Sequence, residues 1–231
     1  MSNSALVSYE RLLSNCNKMT NKQIKKITIH HMAGNLSLKK LGDVFVSRKS
    51  SANYGIDSDG NIGLYVNECD RAWTSSSYDN DSQAVTIEVA NNKLGPEWTI
   101  SDKAMKALIK LCVDICQRNN IKELIFTGDK KGTLTYHYMF ANTACPGPYI
   151  KSKTTYICEC VNALLNGQDK QVASPIKTTK TYEKLAVEVI RGLWGVYPER
   201  KKLLEEAGYN YTEVQKIVNQ LMNGKYKVYF D

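Results

Sequence analysis

IKKITIHH, residues 24–31, alternates apolar and polar side chains over its second half. In a strand successive side chains point to opposite faces. Ile27, Ile29 and His31 therefore share one face, expected to lie against packed helices, and Thr28 and His30 share the other, more polar one. Residues 84–90, AVTIEVA, repeat the pattern. Val85, Ile87 and Val89 fall on the packed face and Thr86 and Glu88 on the polar face. If both strands belong to one sheet, the pleat alone lets His30 and Glu88 open onto the same surface.

Working outward, Ser37 is placed to cap a helix over about 37–47. Tyr54–Asp57, the turn Ser58-Asp59-Gly60-Asn61 and Ile62–Val66 read as a hairpin. Ser101 or Asp102 would cap a long helix over about 102–119. A short strand over Glu123–Thr127 and a helix over about 152–166 follow. Strands interspersed with amphipathic helices predict an α/β fold, a mixed central sheet flanked by helices. Residues 167–180, GQDKQVASPIKTTK, lack apolar periodicity and read as a linker. Three helical patterns come next, over 181–192, 198–207 and 211–222, and predict a small three-helix bundle. Its core is expected around Leu185, Val189, Ile190, Trp194, Leu203, Leu204, Val214, Ile217 and Leu221. The domains so read are 1–167, a linker 168–180 and 181–231.

Composition narrows the function classes. The chain has 231 residues, 42% hydrophobic and 23% charged, with a net charge of +8. No apolar run reaches the roughly 20 residues needed to span a bilayer, so membrane insertion is not expected. The first residues lack a basic segment followed by an apolar one, so no signal peptide is expected. The charge suits a polyanionic partner, but no Lys/Arg run interleaved with aromatics marks nucleic acid. Seven cysteines, an odd number, argue against a disulfide framework. Cys112 and Cys116 share an apolar helical stripe with Leu108, Leu111 and Ile115 and read as core. Cys158 and Cys160 point to different faces of another helix.

The three histidines are His30, His31 and His137. His137 lies eight residues before Cys145, which precedes Pro146-Gly147-Pro148 in a constrained turn. Two imidazoles and a thiolate make a suitable zinc site with the fourth position open to water. The alternative is a structural cysteine near a loop histidine, and spacing does not choose between them.

Taken in order, the motifs ITIHHMAG (27–34), SANYGIDSDGNIGLYV (51–66), RAW (71–73), VTIEVAN (85–91) and HYMFANTACPGPY (137–149) resemble the amidase-2 family. That family includes phage endolysins, autolysins and peptidoglycan recognition proteins. The resemblance spans about residues 20–165. It implies Zn2+ held by His30, His137 and Cys145, with Glu88 as catalytic base. Thr143 stands where many relatives carry Lys and others Thr, a position that steadies the oxyanion. Ala52 stands where one branch has a catalytic Tyr, which leaves Glu88 to supply the base unless Tyr54 reaches in. Asn53, Tyr54 and Trp73 are candidates for lining the groove, Trp73 equally for the core. Residues 185–222 resemble a CW-seven cell-wall-binding repeat, in which Trp194 and Tyr209, with Arg191, Gly195 and Tyr211, would meet the wall. The resemblance thus implies hydrolysis of the bond between N-acetylmuramic acid and L-alanine. It also implies a peptidoglycan partner and action on the wall after release from the cytoplasm. Oligomeric state is not readable.

Overall fold

The computed structural model describes residues 2–167, 181–206 and 209–223. They form two compact units, and the expected linker at 168–180 lies outside the described residues.

The first unit is built on a six-stranded mixed sheet. Its strands are β1 (Tyr9–Glu10), β3 (Lys26–His31), β4 (Tyr54–Ile56), β5 (Ile62–Leu64), β7 (Ala84–Val89) and β8 (Leu134–Tyr136), in the order β1-β5-β4-β7-β3-β8. Only the β4–β5 hairpin is antiparallel. β2 (Cys16–Asn17) and β6 (Arg71–Ala72) form a separate antiparallel pair. In the hairpin turn Asp57 accepts from the backbone N–H groups of Asp59 and Asn61. Gly60 takes φ +84°, and a Cβ there would meet the Lys103 carbonyl at 2.8 Å.

The packed face carries Ile27, Ile29, Val85, Ile87, Val89, Tyr54 and Tyr136 against two helices, α3 (Asp102–Arg118) and α5 (Thr154–Leu165). Cys112 and Cys116 lie in this core, fully buried. α3 starts at Ser101, whose hydroxyl accepts from Ala104 N–H. The opposite face is covered in two parts. α1 (Leu38–Arg48), capped by Ser37, lays Leu41 and Phe45 against Tyr65 and Ala52. The short α2 (Tyr78–Asp81) covers a buried polar layer. Asn80 donates to Thr28, Thr28 and Thr135 hydroxyls sit 2.9 Å apart, and Thr86 bonds Thr74 and Asn53. The polar face is thus sealed along most of its length and opens only at the carboxyl end of β3 and β7.

One expected strand is absent: residues 123–127 have no strand pairing. Ile125 N–H donates to the Thr133 hydroxyl rather than to a backbone carbonyl, and only Ile125 C=O meets a backbone donor, Leu134 N–H. The sheet edge is β8 instead. The expected helix at 152–166 is α5, and a short helix that was not expected, α4 (Gly147–Ser152), precedes it.

The second unit comprises α6 (Tyr182–Ile190), α7 (Glu199–Glu206) and α8 (Tyr211–Met222) around Leu185, Ala186, Val189, Leu204, Val214 and Val218. Two expected core residues are corrected: Ile190 is 44% and Leu203 38% exposed. Each sits one residue from a buried neighbour, Val189 or Leu204, and 100° of helical rotation carries it off the packed stripe.

Candidate metal centre

Strand register brings the site together. β3 and β7 run parallel with His30 directly opposite Glu88. On the other side Ile29 pairs with Tyr136, the last residue of β8, so the chain's next residue, His137, arrives beside His30. The two rings lie 4.7 Å apart, tilted by 51°. Cys145 is returned by the following loop. Its carbonyl accepts from Tyr138 N–H at 3.2 Å, and its N–H donates to Thr143 Oγ1 at 3.2 Å. Its sulfur accepts from His31 N–H at 3.4 Å. Gly147, at φ +83°, permits the close approach, since a Cβ there would meet the His31 ring at 3.1 Å.

One donor atom from each of His30, His137 and Cys145 lies within 4.8 Å of the other two, the one such cluster among the described residues. His30 is fully buried, yet neither of its ring nitrogens has a hydrogen-bond partner, and His137 Nε2 is likewise unpartnered. Buried polar atoms left unmatched cost free energy. One nitrogen from each of the two rings, converging with a cysteine sulfur, fits a cation. Burial, with His137 and His31 adding to it, holds the His30 pKa well below its usual value; burial also lowers that of His137. Both imidazoles are therefore neutral, the form that donates a lone pair. Burial raises the Cys145 thiol, with Glu88 adding to the shift. A nearby cation would reverse that shift, because coordination deprotonates a thiol.

Glu88 sits 4.0 Å from His30 Nδ1, with 16% of its side chain exposed. Oε2 has no partner, and burial pushes the pKa up to about 8. Thr143, half-buried, keeps its hydroxyl proton available while its oxygen accepts from Cys145. Glu88, His137, Thr143 and Cys145 line one cleft with Met32, Leu36, Val44 and Arg48. The α1 wall was not singled out from sequence, though Leu41, Val44, Phe45 and Arg48 recur at helical spacing.

Three expected groove residues lie elsewhere. Asn53 is fully buried; its side chain bonds Thr86 N–H, Val66 C=O and Asn67 C=O, and so ties β4 to β7. Tyr54 is also fully buried. It pairs with Ile87, on the helix-covered face away from Glu88, and its hydroxyl meets Glu68 at 2.5 Å. It cannot reach the site. Trp73 is half-buried outside the cleft, its indole N–H bound to Asn17 at 2.7 Å. His31 packs edge-on against Trp98, at 5.2 Å. In the second unit Trp194 and Tyr209 pack edge to face at 6.1 Å, and the Trp194 N–H donates to Glu188. Both rings are half-buried against that unit's core, while Arg191 and Gly195 are exposed.

The profile of a family described as N-acetylmuramoyl-L-alanine amidase matches residues 20–148, and the CW_7 repeat matches residues 183–222. No curated protein matches by sequence. Among solved structures, the chain is similar to PlyL at 13% identity and a TM-score of 0.53, covering 66% of this chain and 95% of that one. It is similar to the hydrolase AmiA of Staphylococcus aureus, solved with its ligand, at 13% identity and a TM-score of 0.56, covering 69% and 85%. The solution structure of the PlyG catalytic domain gives 14% identity and 0.53, covering 71% and 96%. These likenesses establish a shared fold. With more than half its length matched by the family profile, this chain belongs to the amidase-2 family of N-acetylmuramoyl-L-alanine amidases and carries a CW_7 repeat after its catalytic unit.

Proposed function

We propose that this peptidoglycan amidase is zinc-dependent, with His30, His137 and Cys145 holding the ion and Glu88 moving the proton. The observation that carries the reading is the convergence of unpartnered histidine nitrogens and a cysteine sulfur within 4.8 Å, beside a carboxylate on the aligned strand. A bound zinc ion supplies Lewis acidity toward the scissile carbonyl and acidifies water. Glu88 takes a proton from the attacking water and delivers it to the departing L-alanine nitrogen. Burial alone pushes the Glu88 pKa up to about 8, and a cation held beside it would act in the opposite direction, favouring the carboxylate that takes the proton. The Thr143 hydroxyl donates toward the oxyanion. The backbone N–H of His31 steadies the sulfur of Cys145, and Met32, Leu36 and Val44 offer an apolar wall to the lactyl and alanyl methyl groups.

The second unit holds the enzyme on the wall, with Trp194, Tyr209, Tyr211, Arg191 and Gly195 as candidate contacts. A single repeat binds weakly, and joining it to a catalytic cleft raises the effective concentration of substrate. The role fits an endolysin or autolysin made in the cytoplasm that acts after release to the wall.

The test is metal analysis and hydrolysis on one set of variants. His30→Ala and Cys145→Ala should lose bound zinc, whereas Glu88→Ala should retain it and lose turnover by about 10²–10⁴-fold, the usual contribution of a positioned acid–base group. Activity that survives chelation sinks the zinc reading; full activity in Glu88→Ala sinks the assignment of the base.

A further inference from the structure

The cleft contains a charged group that the mechanism above does not use. Arg48 lies in the last turn of α1 and lines the cleft with Glu88 and Thr143. Every other arginine of the catalytic unit is engaged. Arg11 pairs with Asp43 and Arg118 with Glu68 and Asp114, while Arg71 bonds Asn17 and covers the Tyr78 ring. Among the described residues Arg48 makes no ion pair and no hydrogen bond. A positive charge at a helix's carboxyl end suits the helix dipole, and Arg48 is the basic residue in the last turn of α1. Glu88, the acid of the cleft, makes no ion pair with Arg48 and lies 4.0 Å from the neutral His30 ring. Arg48 follows Leu41 and Val44 at helical spacing and lines the same cleft as Met32, Leu36 and the donors His137 and Cys145.

The cleft has a volume of about 230 Å³. Arg48 lines the same cleft as Glu88, His137 and Cys145, so what it meets lies close to the scissile amide. The lactyl carboxyl of muramic acid is consumed in that amide, and the N-acetyl sugar is neutral. The anionic group left within reach is the α-carboxylate of the stem-peptide residue after L-alanine, which in peptidoglycan is either free or amidated. A guanidinium meets a carboxylate with two parallel, charge-assisted hydrogen bonds, whereas a carboxamide offers one acceptor and no charge.

We infer that Arg48 is a specificity-determining residue that binds this α-carboxylate and makes the enzyme prefer stem peptides left unamidated at the second position. The inference rests on the amidase reading above.

The experiment uses the full-length, zinc-loaded protein. The two soluble substrates are N-acetylmuramoyl-L-alanyl-γ-D-glutamyl-L-lysine and its α-carboxamide counterpart. The wild type should favour the carboxylate substrate by about tenfold in kcat/KM, mostly through KM. Arg48→Met should bring the ratio to about one, and Arg48→Lys should keep part of it, with zinc content and melting temperature unchanged. Equal cleavage of the two substrates by the wild type, or a preference that survives Arg48→Met, overturns the inference. Failure to release L-alanyl peptide from either substrate overturns the amidase reading instead.

Discussion

Lys22 is 3% exposed, and its ammonium donates to the carbonyls of Asp70 and Ala84, each at 2.9 Å. Burial lowers its pKa to about 8, against the pull of Asp81 and Glu68. In the unfolded chain the same amine titrates near 10.5. Between those values the unfolded state binds more protons, so this group makes stability rise with pH across the window. The cost of a buried charge is fully present below about pH 8 and fades toward pH 10.5. At about 1.4 kcal/mol per pKa unit the change comes to about 3 kcal/mol. Thiols and tyrosines also titrate there, so the measurement is a difference. Urea midpoints followed from pH 7.5 to 10.5 should converge between wild type and Lys22→Met in a way that removes this rise. Parallel curves would show that the ammonium is not penalised. Lys22 gave no signal in the sequence, where a lysine beside Asn21 and Gln23 reads as surface. His30 and Glu88 were readable because alternation separates the two faces of a strand. Asn53 and Tyr54 were not, because alternation does not tell which face is open, and a polar tip on a large ring suits a buried network as well as a groove.

At the scale of elements, caps and strands follow local chemistry closely. Ser37 and Ser101 both accept from the N–H three residues on. Ser101 does more, since its hydroxyl also donates to the Ser58 carbonyl at 2.5 Å and fastens the hairpin turn to the start of α3. Ser101→Ala should cost about 1–2 kcal/mol, the upper range for a lost cap, and leave zinc content intact. Chemical denaturation reads the first and metal analysis the second; an unchanged midpoint would mean the two hydrogen bonds contribute nothing net. What the sequence did not reveal are elements that depend on partners far along the chain. β1, β2 and β6 are two residues each, too short for any periodicity to mark. The expected strand at 123–127 failed because a threonine hydroxyl took the place of a backbone partner. The wall formed by α1 was visible as a helix, but which flank of it would face the site was set by the crossing of Leu41 and Phe45 over Tyr65.

For the molecule as a whole, each unit has its own core, one around the sheet and one around Leu185, Val189 and Val218. Removing residues 181–231 should therefore leave hydrolysis of soluble muropeptides within about twofold, while wall affinity falls by about a hundredfold or more, in the range that linked binding supplies. Loss of both activities together would mean that the first unit does not stand alone. The hydrogen bond from His31 to the sulfur of Cys145 joins residues 114 positions apart in the chain. A metal bridging His30 to Cys145 would thus act as a crosslink across most of the catalytic unit. Loop closure on that scale is entropically costly, but only weakly length-dependent, and here parallel pairing of β3 with β7 and β8 has already closed it. Unlike a small zinc module, in which metal and folding are one event, this unit should remain folded without its ion. The ion would then raise the melting temperature by mass action alone, in proportion to the logarithm of free metal.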